Sequence, residues 1–172
     1  MSNSPPRISV SELKRNIKAC ILCGADLHFP PKPSFSFSAT SKILIVGQAP
    51  GIKVRESGIP WNDASGDRLR EWLGVTKKQF YSTKNFAIVP MGFCYPGKGE
   101  SGDLPPRPEC AETWMAPILE KLPKRKITTS HWAICARLVL EVLEESNSDR
   151  NSKKLENLSA RVFCFATPVT AQ

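Results

Sequence analysis

Long apolar runs are missing from this 172-residue chain. No stretch approaches the ~20 consecutive apolar residues that cross a bilayer, which excludes a membrane-spanning helix. The segment Met1–Arg7 has no apolar core of the kind that directs export, so a cytoplasmic protein is expected. Histidine is scarce: only His28 and His131 occur, neither in a motif. A Ser/His/Asp arrangement and an HExxH motif are both absent, which removes those two hydrolase classes. There is no internal repeat and no low-complexity tract.

What is present is an ordinary globular balance, 41% hydrophobic and 23% charged. A length of 172 residues suits one domain and not two large ones. Basic residues number 24 against 16 acidic, a net charge of +8. The excess is uneven. Residues 1–128 carry 19 basic and 11 acidic side chains, whereas residues 129–172 carry 5 of each. A positive surface of this size suits a polyanion such as nucleic acid, through phosphate neutralisation. Simple solubility explains the charge equally well.

Six cysteines in a reducing compartment point to metal binding or chemistry before structural disulfides. Cys20 and Cys23 form a Cys-x-x-Cys pair, and Cys94 and Cys110 bracket a Pro/Gly-rich loop. Thiolates suit zinc or an iron–sulfur cluster, so the quartet could close a four-thiolate site. Four unrelated buried cysteines are the plainer alternative.

Ser9–Cys23 reads as a helix capped by Ser11, with Leu13, Ile17 and Ile21 at helical spacing. Residues 24–41, with Pro30, Pro31 and Pro33, read as an irregular wrap. KILIVG (Lys42–Gly47) and FAIVPM (Phe86–Met91) read as parallel strands buried on both faces. Between them, Gln48–Gly58 reads as a loop, and Ser65–Leu73 as a helix capped by Ser65 and stopped by Gly74. Glu109–Leu122 reads as a further helix. This alternation predicts an open α/β sheet, whose ligands bind at the carboxyl ends of the strands.

Several groups gather at those ends. The loop Gly47-Gln48-Ala49-Pro50-Gly51 follows a buried strand directly, and its glycines let backbone approach a ligand. It is also compatible with a plain tight turn. Trp61 follows Gly58-Ile59-Pro60 and could stack on a nucleobase, or fill a core. Asn62 and Asp63 could read base edges or cap the next helix. Lys53, Arg55, Arg68, Arg70, Lys98 and Arg107 are candidates for phosphate contact; of these, Lys53, Arg55, Lys98 and Arg107 are the retained set.

Taken together, ILIVGQAPG, GIPWNDASGDRLREWLG and the order and spacing of the four cysteines resemble the uracil-DNA glycosylase superfamily. The similarity is greatest to its iron–sulfur-containing family 4 branch and covers residues 19–123. The resemblance implies a three-layer α/β/α sandwich around a central parallel sheet, acting as a monomer on DNA. It implies that a damaged base is flipped out and its N-glycosidic bond hydrolysed. Cys20, Cys23, Cys94 and Cys110 would hold a structural 4Fe-4S cluster. Gly47, Gln48, Ala49, Pro50 and Gly51 would touch the flipped nucleotide, and Trp61 would stack on the base. Two positions depart from the family pattern. Pro90 stands where a base-reading asparagine is implied, and the closing His-Pro loop, with its histidine that stabilises the leaving base, is absent.

Residues 1–128 are therefore read as the glycosylase-like part, and residues 129–172 as a divergent tail that leaves the sheet incomplete. Codons for the tail, read one nucleotide later, permit Val-Ile-Gly-Gln-Tyr-Ala across Ser130–Ala136. They also permit Leu-Pro-His-Pro-Ser-Pro-Arg across Phe165–Gln172, which is the missing motif in its expected place. A frameshift near Thr128–Ser130 is the reading this suggests. The tail as written, with Ser130–Glu145 read as a helix, is expected to remove central strands and expose apolar edges. An inactive, poorly folded product follows from that expectation, and no catalytic residue is assigned. A non-catalytic DNA-binding iron–sulfur protein and a zinc-binding interaction module are the alternatives.

Overall fold

The computed structural model describes residues 8–123, 126–127 and 161–164. Within it, β1 (Ile43–Gly47) and β2 (Phe86–Pro90) pair in parallel, with Gly47 opposite Pro90 at their carboxyl ends. Both segments are continuous apolar runs because the sheet is covered on both faces. Side chains alternate accordingly. Leu44, Val46, Ala87 and Val89 face a cluster that includes Leu13 and Ile17 of α1 (Val10–Lys18) and Met115 and Ile118 of α5 (Pro108–Lys121). Ile45, Phe86 and Ile88 face the other way, onto Leu69 of α3 (Ala64–Leu73) and Phe80 of α4 (Lys77–Phe80). The fold is α/β, with helices on both faces of a parallel sheet. No helix among the described residues is long and apolar enough to cross a membrane.

The far side of β1 is not bare. After β3 (Lys98–Gly99) and β4 (Gly102–Asp103) form a small antiparallel hairpin, β5 (Lys126–Ile127) and β6 (Arg161–Cys164) complete a parallel sheet of order β2-β1-β6-β5. β6 pairs along β1 from Ile43↔Arg161 to Val46↔Cys164. The tail thus supplies a central strand, where its removal was expected. The helix read over Ser130–Glu145 and the shifted windows at Ser130–Ala136 and Phe165–Gln172 lie outside the described residues.

Cap positions differ from the expectation in an instructive way. α1 is capped by Ser9, whose hydroxyl accepts from the Glu12 N–H at 3.1 Å, and it ends at Lys18. Ser11 lies inside the first turn, and Cys20 and Cys23 stand beyond the helix. α3 is capped by Asp63, whose carboxylate accepts from the Gly66 N–H at 2.9 Å and the Ser65 hydroxyl at 2.6 Å. A carboxylate at the cap also answers the positive end of the helix dipole, so it outcompetes the serine two residues on. Gly74 ends α3 in the left-handed region, as expected. Gln48–Gly58 is not all loop, since α2 (Ile52–Ser57) starts directly after Gly51.

Candidate functional site

The carboxyl ends of β1 and β2 open into a cavity of ≈ 140 Å³. Gly47, Gln48, Ala49, Pro50 and Gly51 form one wall and Pro60 and Trp61 another. The loop is clamped from below, because Met91 N–H donates to the Gly47 carbonyl at 2.8 Å and Gly92 N–H to that of Gln48 at 2.7 Å. Trp61 lies against the strand tip. A Cβ at Gly47 would stand 3.3 Å from its Cζ2 and 3.7 Å from Nε1, so glycine lets the indole close down on the backbone. The pentapeptide and the tryptophan singled out in the sequence therefore share one pocket.

Trp61 is held in an unusual conformation. Its φ of 57° is the one positive value among the described non-glycine residues. For a bulky side chain this costs about 1–3 kcal/mol and persists only where surroundings over-determine it. Those surroundings are visible. Arg70 Nη1 donates to the Trp61 carbonyl at 3.1 Å, and the Tyr81 hydroxyl donates to it at 3.2 Å. Gly66 lets the same carbonyl approach α3 so closely that a Cβ there would sit 1.8 Å from the oxygen. Burial pushes the Tyr81 phenol up from its ordinary value, partly countered by Arg70, so the hydroxyl remains a donor at neutral pH.

This corrects one member of the basic set. Arg70 is 6% exposed, pairs with Asp67 and lies over the Phe80 and Tyr81 rings at 5.3 and 5.7 Å. It supports Trp61 and does not face solvent phosphate. Arg107 joins Asp26 at 3.0 Å to Glu109 at 2.9 Å, tying the turn Gly24–Asp26 to the start of α5. Arg55 stacks on Phe29, 4.4 Å from the ring centroid. Lys53 on α2, Lys98 on β3 and Arg68 on α3 are exposed.

Three polar pocket residues escaped the sequence reading. Asp103, on β4, accepts from the Tyr95 hydroxyl at 3.2 Å, and its Oδ2 would lie 3.6 Å from a Cβ at Gly51. Ser34 and Ser65 also line the cavity. Asp103 and Ser34 lie in Pro/Gly/Ser-rich segments with no spacing that marks them, and Ser65 carries only a helix-start signal. Asp63, for which base reading and capping both stood open, is the α3 cap in place of Ser65, and it also lines the pocket. Pro90 closes the floor without a side-chain hydrogen-bonding group.

The four cysteines converge from separate elements: Cys20 after α1, Cys23 at the following turn, Cys94 after β2 and Cys110 in the first turn of α5. All four are free thiols. Cys110 lies near Cys23 and Cys94, and Cys94 lies near Cys23 and Cys20. Burial pushes the Cys94 thiol up to about 11 and the Cys110 thiol up to about 12. Among the described residues, no three His, Cys, Asp or Glu side chains stand in the compact arrangement that holds a single metal ion. The donor set is soft, with Cys23, Cys94 and Cys110 buried and Cys20 half-buried, and its chemistry suits a thiolate-ligated group.

A family model described as the uracil DNA glycosylase superfamily matches residues 35–162. The match contains the strand-tip loop, the strained tryptophan and two of the four cysteines, and it runs on into the tail. With a parallel α/β sheet and a pocket at its strand ends that agree with it, the chain belongs to the uracil DNA glycosylase superfamily.

Proposed function

We propose that this chain is a uracil-DNA glycosylase-like DNA repair protein whose described part receives a base extruded from DNA. The observation that carries the reading is the seating of Trp61 against Gly47 at a cavity at the carboxyl ends of β1 and β2. Extrusion costs a few kcal/mol, and stacking on an aromatic face returns about 1–3 kcal/mol of it. The indole is already fixed by Arg70 and Tyr81, so little ordering remains to be done when a base arrives. Lys53, Arg55, Lys98 and Arg107 are the proposed phosphate contacts. Of these, exposed Lys53 and Lys98 need no rearrangement, whereas Arg107 would have to share its ion pairs.

Hydrolysis requires that the departing base carry away the electron pair of the N-glycosidic bond while water attacks the sugar. The chain as written lacks the His-Pro loop that would stabilise that anion, so base recognition without turnover is the proposed behaviour of this sequence. A frameshift near Thr128–Ser130 accounts for the loss, and the coding DNA tests it. If the codons of Phe165–Gln172 do not spell the shifted peptide, the frameshift is wrong.

Cys20, Cys23, Cys94 and Cys110 are the proposed ligands of a 4Fe-4S cluster. When bound, that group supplies a structural cross-link, with no electron transfer in the reaction. The choice between this cluster and zinc rests on the resemblance to the iron–sulfur branch, since four thiolates suit either group. Brown protein with iron after anaerobic purification supports this assignment; colourless protein with stoichiometric zinc favours the interaction module instead.

Replacing Trp61 by alanine is expected to weaken binding to DNA carrying one non-hydrolysable uracil nucleotide about 10–100-fold, the equivalent of one stacked base. Binding to uracil-free DNA should change little. Fluorescence anisotropy reads both, and equal losses on the two DNAs would assign Trp61 a structural role only.

A further inference from the structure

We infer that Ser34 is the base-reading residue of this pocket, an assignment that rests on the proposed function above. Ser34 is 2% exposed, its Oγ has no hydrogen-bond partner, and it lines the cavity. A buried hydroxyl with nothing to bond is costly, and such groups in native proteins ask for an explanation. A ligand edge arriving in the cavity supplies one.

The backbone shows why the hydroxyl stands there. Ser34 N–H donates to the Phe93 carbonyl at 2.8 Å. Two residues on, Ser36 forms an antiparallel bridge with Ile88 of β2, its N–H donating to the Ile88 carbonyl at 2.9 Å. The segment 34–36 is thus laid along the carboxyl half of β2, and Ser34 is brought to the stretch that contains Pro90. Pro90 offers no side-chain donor or acceptor to a base. Ser34 offers both from the segment paired beside it: its O–H donates to a base carbonyl, and its lone pairs accept from a ring N–H. The ligand class is therefore an extruded base with a lactam edge, read by one rotatable hydroxyl. A single such group discriminates less among lactam bases than a two-ended amide would.

The test compares the full chain with Ser34→Ala on two DNAs, one with a single non-hydrolysable uracil nucleotide and one with a difluorobenzene nucleotide in its place, which has the shape of uracil but neither its ring N–H nor its carbonyls. The wild-type chain should prefer the uracil DNA. Ser34→Ala should lose about tenfold of that preference, the value of one neutral hydrogen bond, with affinity for the difluorobenzene DNA unchanged. Its urea midpoint should stay level or rise, because an unsatisfied buried hydroxyl has been removed. An unchanged preference in Ser34→Ala overturns the assignment while leaving the pocket reading intact. A lowered midpoint with equal losses on both DNAs overturns it in favour of a structural role. No preference in the wild type overturns the pocket reading, and the assignment with it.

Discussion

Gly66→Ala is expected to destabilise the protein by about 2–3 kcal/mol, the reverse of what its helical position alone would give. Alanine for glycine inside a helix ordinarily gains about 1 kcal/mol. At Gly66 the new methyl would meet the Trp61 carbonyl oxygen at 1.8 Å and its carbon at 2.7 Å. Neither atom belongs to a flexible side chain. The carbonyl is fixed by Arg70 and Tyr81, and it belongs to a residue already at positive φ. Relief requires α3 to move away from the 58–63 loop, and overpacking of this kind costs about 1–3 kcal/mol or more. Because the same carbonyl anchors the indole, base binding should fall together with stability. Urea unfolding gives the first quantity and uracil-DNA binding the second. A midpoint above wild type would mean that Trp61 is not packed on α3 as described.

That prediction could not have come from the sequence, although much of its setting could. Strands β1 and β2 were legible because continuous apolar runs of five or six residues bounded by Gly, Pro and Ser have few other uses. Their pairing and shared carboxyl end followed from the alternation with helices. Gly47–Gly51 and Trp61 were legible as a pocket for the same reason, since both follow strand or turn signals at the expected edge. The role of Gly66 was not, because it depends on a contact across the turn that no periodicity encodes. Arg70 was misread for a related reason. A basic side chain in a charged helix is usually solvated, and only tertiary packing under Phe80 and Tyr81 shows it to be a buried prop. Ser34 and Asp103 come from irregular segments whose side chains reach the cavity through backbone pairing with β2 and a two-residue hairpin strand. The strand Arg161–Cys164 was missed because the tail was judged by its first apolar stretch, and a four-residue strand far along the chain leaves little pattern.

The thiol cluster should make the metal-free protein sensitive to alkali. Burial is the chief cause that raises Cys94 to about 11 and Cys110 to about 12, from an ordinary 9.0. Below pH 9 these thiols are protonated in the folded and unfolded chains alike, and their contribution is fully present. Above it the unfolded chain ionises first, so it binds fewer protons than the folded one, and stability falls as pH rises. The loss should accumulate between pH 9 and about 11–12 and then level off. Burial also raises Tyr81 and Tyr95, which adds a share in the alkaline range. The variant Cys94→Ser/Cys110→Ser separates the two, since it keeps the tyrosine share and loses the thiol share. Bound metal reverses the preference, because thiolates and not thiols are ligands, so the loaded protein should lose only the tyrosine share across the same range. The double variant should carry no iron. If metal-free wild type and the double variant decline in parallel from pH 9 to 11, the thiols titrate as solvent-exposed groups. Cys94 and Cys110 would then not be the buried pair on which the cluster assignment depends.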